Sequence, residues 1–147
     1  MWFIRSRGYI RRRFMTFMGI EGKGNWKGTP VEEILPVTMQ AGDDRVETPE
    51  GSFIQLDPSS HPLLAGMKEE MPPLLGYNRL TAKEGKEVLI TVGEEKDPML
   101  VIGEYGKGRT FAWASDCAPH WMPEEFCGSK ENHCMWQNVT LWAAGKD

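Results

Sequence analysis

Cysteine, histidine and tyrosine each occur only three times in this 147-residue chain. The cysteines, Cys117, Cys127 and Cys134, are an odd set without dense spacing, so the sequence offers no disulfide framework and suits a reducing compartment. No apolar run approaches the roughly 20 residues needed to cross a bilayer. The opening Met1-Trp2-Phe3-Ile4-Arg5-Ser6-Arg7 lacks the uninterrupted apolar core and cleavage site of a secretory signal. These absences predict a cytoplasmic protein with no membrane partner. Internal repeats and low-complexity tracts are missing too. So is any cofactor fingerprint: Gly106-Lys107-Gly108 lacks the strand–loop–helix setting of a phosphate loop and reads as a hairpin turn, and no cofactor is expected.

What remains is the composition of a soluble globular domain, 40% apolar and 26% charged, at a length that supports one core. Charge is unevenly placed. Arg5, Arg7, Arg11, Arg12 and Arg13 crowd residues 1–13 without an acid, and setting those five aside turns the formal −4 of the chain into −9 for residues 14–147. The basic segment carries no aromatic stacking pattern and no nucleic-acid-binding fold signature, and the body is acidic, so no nucleic-acid partner is expected. Residues 1–13 read as a disordered or atypical segment ahead of a domain over 14–147.

The stretch 14–28 starts apolar, becomes glycine-punctuated and reads as a loop that covers a neighbour. Thr29-Pro30 followed by Glu32 and Glu33 predicts a capped helix to Ile34. Strands are predicted at Pro36–Gln40, Phe53–Leu56, Gly76–Ala82, Glu87–Val92, Met99–Glu104 and Arg109–Ser115, with turns at Gly42–Arg45 and Asp57–Pro62. A closing helix opens at Ser129 and runs to about Ala144, with Met135, Trp136, Val139, Trp142 and Ala143 on its apolar face. The order predicts an α/β protein with a mixed sheet, a terminal β-hairpin and a closing amphipathic helix.

The polar knot at the exit of the last strand is the leading candidate site, because a rigid strand end followed by an accessible loop is where chemistry is often carried. It holds Asp116, Cys117, His120 and Trp121. His120 reads as the catalytic or ligand-facing group, or as a hydrogen-bonded structural histidine. Cys117 reads as a partly buried thiol or as a nucleophile paired with His120. Asp43, Asp44 and Arg45 read as a self-contained turn or a polar ligand clamp, and Asn78, between Tyr77 and Arg79, could add to such a clamp. Cys117, His120, Cys127, His133 and Cys134 supply zinc-type donors within eighteen residues. Their spacing fits no common finger, and the adjacent His133 and Cys134 would point about 100° apart on a helix, so no metal is expected.

Several ordered motifs carry a resemblance. They are Gly19-Ile-Glu-Gly-Lys-Gly-Asn-Trp26, Thr29-Pro-Val-Glu-Glu-Ile-Leu-Pro-Val37, Gly42-Asp-Asp-Arg-Val-Glu47, His61-Pro62, Gly76-Tyr-Asn78 and Ser115-Asp-Cys-Ala-Pro-His-Trp121. Over residues 14–147 the chain resembles the bacterial glutamine amidotransferase-like family, cytoplasmic proteins with the class I amidotransferase fold, a flavodoxin-like sandwich. Members are considerably longer, so the resemblance implies only the C-terminal part of such a sandwich and a truncated or atypical start.

Amidotransfer needs a cysteine on a sharp strand-to-helix turn beside backbone N–H donors, a histidine, and a glutamate two residues beyond it. His120 falls where the resemblance places the histidine. Met122 stands two beyond, with Glu124 and Glu125 further on, and no cysteine precedes Cys117. The resemblance therefore implies an amidotransferase-like protein without glutaminase activity; the carboxylate, amide and tryptophan groups at the strand ends suit a pocket that binds a small polar metabolite. Two alternatives stand beside it. One is a hydrolase or transferase with His120 as general base and Asp116 or Glu124 as its orienter. The other is an oligomeric module in which a second copy covers an apolar sheet face.

Overall fold

Alternation of apolar residues builds most of the molecule from strands, and short connections pair them antiparallel. The computed structural model describes residues 2–6, 9–13, 26–57, 61–68 and 71–146. The elements are β1 (Trp2–Ser6), β2 (Tyr9–Arg13), α1 (Pro30–Ile34), β3 (Val37–Met39), β4 (Arg45–Ser52) and β5 (Ile54–Leu56), then a 3-10 turn at Pro62–Leu64. There follow β6 (Leu74–Asn78), β7 (Leu80–Ala82), β8 (Glu87–Val92), β9 (Asp97–Tyr105), β10 (Gly108–Trp113), α2 (Glu124–Cys127) and α3 (Lys130–Ala143). A six-stranded sheet runs β2-β1-β10-β9-β8-β5, and two ribbons, β3–β7 and β4–β6, lie beside it. The architecture is mixed α and β, with antiparallel sheets and few helices.

Every strand pair among the described residues is antiparallel, where the sequence suggested a mixed sheet. For the consecutive strands β8, β9 and β10 the reason is connection length. Parallel neighbours need a crossover of a dozen or more residues, and β8, β9 and β10 follow one another through short turns. Gly106-Lys107 closes the β9–β10 hairpin, with Gly106 at φ 59°, a value that glycine adopts without steric cost.

β9 and β10 form the centre of the core. Met99, Leu100, Val101 and Ile102 are buried in succession, which marks a strand covered on both faces. Phe111 and Trp113, two residues apart and so on one face, meet Trp136 of α3, and Trp113 also meets Phe126 of α2. β7 packs near β9. Ser129 caps α3 by accepting the Asn132 N–H at 3.1 Å, as its position predicts. Met135, Val139 and Ala143 of the predicted apolar face are buried, whereas Trp136 and Trp142 are only half-buried. Arg109 lies 5.3 Å from the Trp142 ring, which explains how that indole tolerates the rim.

Other differences from the sequence reading have local causes. Thr29 precedes α1 as expected, but its hydroxyl donates to the Trp26 carbonyl at 2.6 Å instead of capping the helix. The other end of α1 is held by Lys83, whose ammonium donates to the Glu32 and Glu33 carbonyls. β4 escapes sequence reading because Pro49, Gly51 and two glutamates interrupt it. A ribbon strand with an irregular register between Glu47 and Ser52 tolerates these residues. The predicted strand Gly76–Ala82 is two strands, broken at Arg79. Of the stretch 14–28, residues 14–25 lie outside the described residues, as do 58–60 of the predicted Asp57–Pro62 turn. No helix among the described residues is long and apolar enough to cross a membrane.

Candidate functional site

The chain leaving β10 is held against β6 by a succession of single bonds. Ala114 N–H donates to Met99 O at 2.9 Å, and Asn78 N–H donates to Ala114 O at 2.6 Å. Ser115 Oγ donates to Gly76 O at 2.8 Å. Trp113 Nε1 donates to Asp116 O at 2.9 Å, and Leu75 N–H donates to Trp121 O at 2.7 Å. The loop from Asp116 to Trp121 therefore starts and ends on fixed backbone.

Within that loop Asp116 is only 8% exposed, whereas the His120 side chain is 63% exposed. His120 Nδ1 lies 2.7 Å from Asp116 Oδ2, and the Trp121 backbone N–H donates to the same oxygen at 3.2 Å. A carboxylate only accepts, so Nδ1 carries the proton, and in the neutral imidazole Nε2 then presents a lone pair. Nε2 has no partner among the described residues. Asp116 Oδ1 is enclosed and unpaired among them as well. An enclosed unpaired acceptor costs about 1–3 kcal/mol, and an atom of this kind calls for an explanation beyond packing.

Cys117 is exposed rather than partly buried. Trp121 is buried, its indole N–H donating to Glu47 Oε2 at 3.0 Å. Of the two possible orienters of His120, Asp116 is the one in contact. Met122, two residues past the histidine, is a core residue, and Glu124 and Glu125 are exposed at the start of α2.

The second group of predicted residues separates into two pairs. Asp44 and Asn78 are 1% and 3% exposed, joined by Asn78 Nδ2 donating to Asp44 Oδ1 at 3.0 Å, while Asp44 O accepts the Arg79 N–H at 2.6 Å. Asp43 and Arg45 face solvent, with Arg45 Nε donating to Asp43 Oδ1 at 2.8 Å and its Nη2 reaching Oδ2. That side-chain bond holds the Asp43 carboxyl down at about 2. β6 links the two regions, since Asn78 joins Asp44 while Gly76 lies against Trp121.

Two groups were not visible beforehand. Glu47 partners Trp121 from 74 residues away, and nothing in the sequence signals that pairing. Asp97 accepts from both the Tyr77 hydroxyl and Arg79 Nε, each at 2.9 Å, and burial is the first cause that raises the Tyr77 phenol. The zinc-type residues do not converge. Cys127 Sγ donates to Met122 O at 3.4 Å with its thiol raised mainly by burial, Cys134 lies beside Gly66, and no metal-holding cluster of three occurs among the described residues.

No curated protein matches the chain significantly. Among solved structures it is similar to the cytoplasmic protein STM3548 from Salmonella typhimurium, at 40% identity and a TM-score of 0.80, over 88% of this chain and 52% of that one. It is similar also to the cytoplasmic protein STM1381 from Salmonella typhimurium LT2, at 41% identity and a TM-score of 0.80, over 89% and 52%. The chain thus spans about half the length of either. The family described as "Putative glutamine amidotransferase" matches residues 8–144, nearly the whole sequence, and the chain belongs to that family.

Proposed function

We propose that this chain is the C-terminal part of a flavodoxin-like, amidotransferase-like sandwich that works in the cytoplasm and binds a small polar metabolite at the His120 corner. It does not hydrolyse glutamine by itself. The observation that carries the reading is the asymmetric pair, a buried Asp116 that fixes an exposed imidazole through Nδ1. The cytoplasmic placement draws on the two similar Salmonella proteins, both described as cytoplasmic.

With Nδ1–H committed to Asp116, Nε2 accepts, so the matching ligand group is a donor: a hydroxyl, an amide N–H or a bound water. Trp121, Asp44 and Asn78 are enclosed, and in the loop itself His120 and Cys117 are the exposed, ligand-facing side chains. Glutaminase chemistry lacks two of its parts in this chain. No cysteine precedes Cys117, and the residue two past His120 is the buried Met122.

The same hydrogen bond favours one further reading, in which His120 is a general base oriented by Asp116. An imidazole fixed through one nitrogen and open at the other is the arrangement that proton abstraction uses. The test is thermal shift of the purified chain and of His120→Ala against hydroxyl- and amide-bearing metabolites, with ammonia release from glutamine measured alongside. The expected result is no ammonia, with stabilisation of the parent chain that disappears in the variant. Ammonia release by the chain alone, or equal shifts in both proteins, contradicts the proposal. Turnover of a stabilising compound that His120→Ala abolishes selects the general-base reading.

A further inference from the structure

Asp116 and His120 are four residues apart and could meet in any mobile loop. What fixes them comes from elsewhere in the chain. Asp116 Oδ2 accepts the Trp121 N–H as well as His120 Nδ1, so the placement of Trp121 sets where the carboxylate stands. Trp121 is in turn anchored on β4 and β6. Its indole N–H donates to Glu47 Oε2 at 3.0 Å and its carbonyl accepts Leu75 N–H at 2.7 Å. Its ring lies against the bare Cα of Gly76, where an added Cβ would stand 2.6 Å from the indole. The His120 ring leans on that indole, with centroids 5.6 Å apart and planes inclined by 30°. A buried indole N–H needs an acceptor, and an acceptor that is a carboxylate makes the bond strong and directional.

We infer that Glu47 and Gly76 are positioning residues for His120, acting through Trp121 to set the tautomer and orientation of the imidazole. The inference rests on the reading of His120 as the ligand-facing group of the site. Without Glu47 the indole loses its acceptor, and without the bare Cα of Gly76 the ring loses its seat. In either case the Trp121 N–H no longer pins the carboxylate, and Nδ1 of His120 loses its fixed partner.

The experiment is long-range proton–nitrogen NMR of the full chain labelled with nitrogen-15 in histidine, which reads the tautomers of His61, His120 and His133 separately. The expected result is an Nδ1–H tautomer for His120, shifted toward Nε2–H in Glu47→Ala, Gly76→Ala and Asp116→Ala, while His61 and His133 stay unchanged. Glu47→Gln, which keeps an acceptor oxygen, restores the parent spectrum. If Asp116→Ala shifts His120 but Glu47→Ala and Gly76→Ala do not, the positioning role is wrong and the underlying site reading stands. If Asp116→Ala has no effect either, the site reading itself fails. Should Glu47→Ala disturb all three histidines, Trp121→Phe decides: it removes the indole N–H and part of the ring but keeps the backbone N–H, and a parent-like His120 in that variant overturns the inference.

Discussion

Strand β6 borders two polar pairs, and their burial differs. At its end, Asn78 gives its amide to Asp44, and both side chains are enclosed. Two residues earlier, Gly76 seats the ring of Trp121, whose backbone N–H donates to Asp116, and Asp116 holds a histidine that stands in solvent. A pair enclosed on both sides can only join elements, here the start of β4 to the end of β6. A pair enclosed on one side can present a fixed, reactive nitrogen to whatever arrives. The lesson is that residue type alone does not separate the two roles. The exposure of the second partner does.

The comparison can be broken most severely at β6, the strand that touches both pairs. Gly76→Val drives its branched side chain into Trp121 and should cost about 3 kcal/mol in urea unfolding, the upper end of what overpacking usually costs. Asn78→Ala comes next. It strips the Asp44 carboxylate of a buried donor at a cost of about 2 kcal/mol by the same measurement. Glu47→Ala leaves the Trp121 N–H without its acceptor and should cost about 1 kcal/mol, with Glu47→Gln recovering most of it.

The smallest effect belongs to the exposed pair. Because the folded Asp43 titrates at about 2 against an ordinary 3.8, the stability it contributes is present above 3.8 and is lost as pH falls through about 2. Arg45→Ala should return the Asp43 titration, followed by carboxyl NMR, toward 3.8. The neutral-pH unfolding midpoint should stay unchanged, because both groups face solvent.

How much of this was legible depended on whether the determining contacts were local. β8, β9, β10 and α3 announce themselves through runs such as Met99–Ile102, a glycine turn and a serine cap. Each of these signals lies within a few residues of the structure it dictates. β4 was not legible, because Pro49, Gly51 and its glutamates describe a loop until β6 supplies a partner. The antiparallel sheet was missed for a related reason: strand content is local, but strand direction is set by which neighbours pair. At the site, the strand exit and its residues were visible, as was Asp116 as a possible orienter of His120. What the sequence could not supply was exposure. Trp121, grouped with the strand-exit site, has a buried side chain, and Cys117, read as a partly buried thiol or a nucleophile, is exposed. Glu47 was invisible because the bond that ties it to Trp121 crosses 74 residues.

The proposed division sets a structural joint, Asp44 with Asn78, against a ligand-facing pair, Asp116 with His120. Unfolding midpoints of His120→Ala and Asn78→Ala, measured side by side with the parent chain, test it most directly. The account predicts that Asn78→Ala falls by about 6 °C while His120→Ala stays within about 2 °C of the parent. A loss in His120→Ala as large as that in Asn78→Ala would contradict it, since the histidine would then be part of the joint.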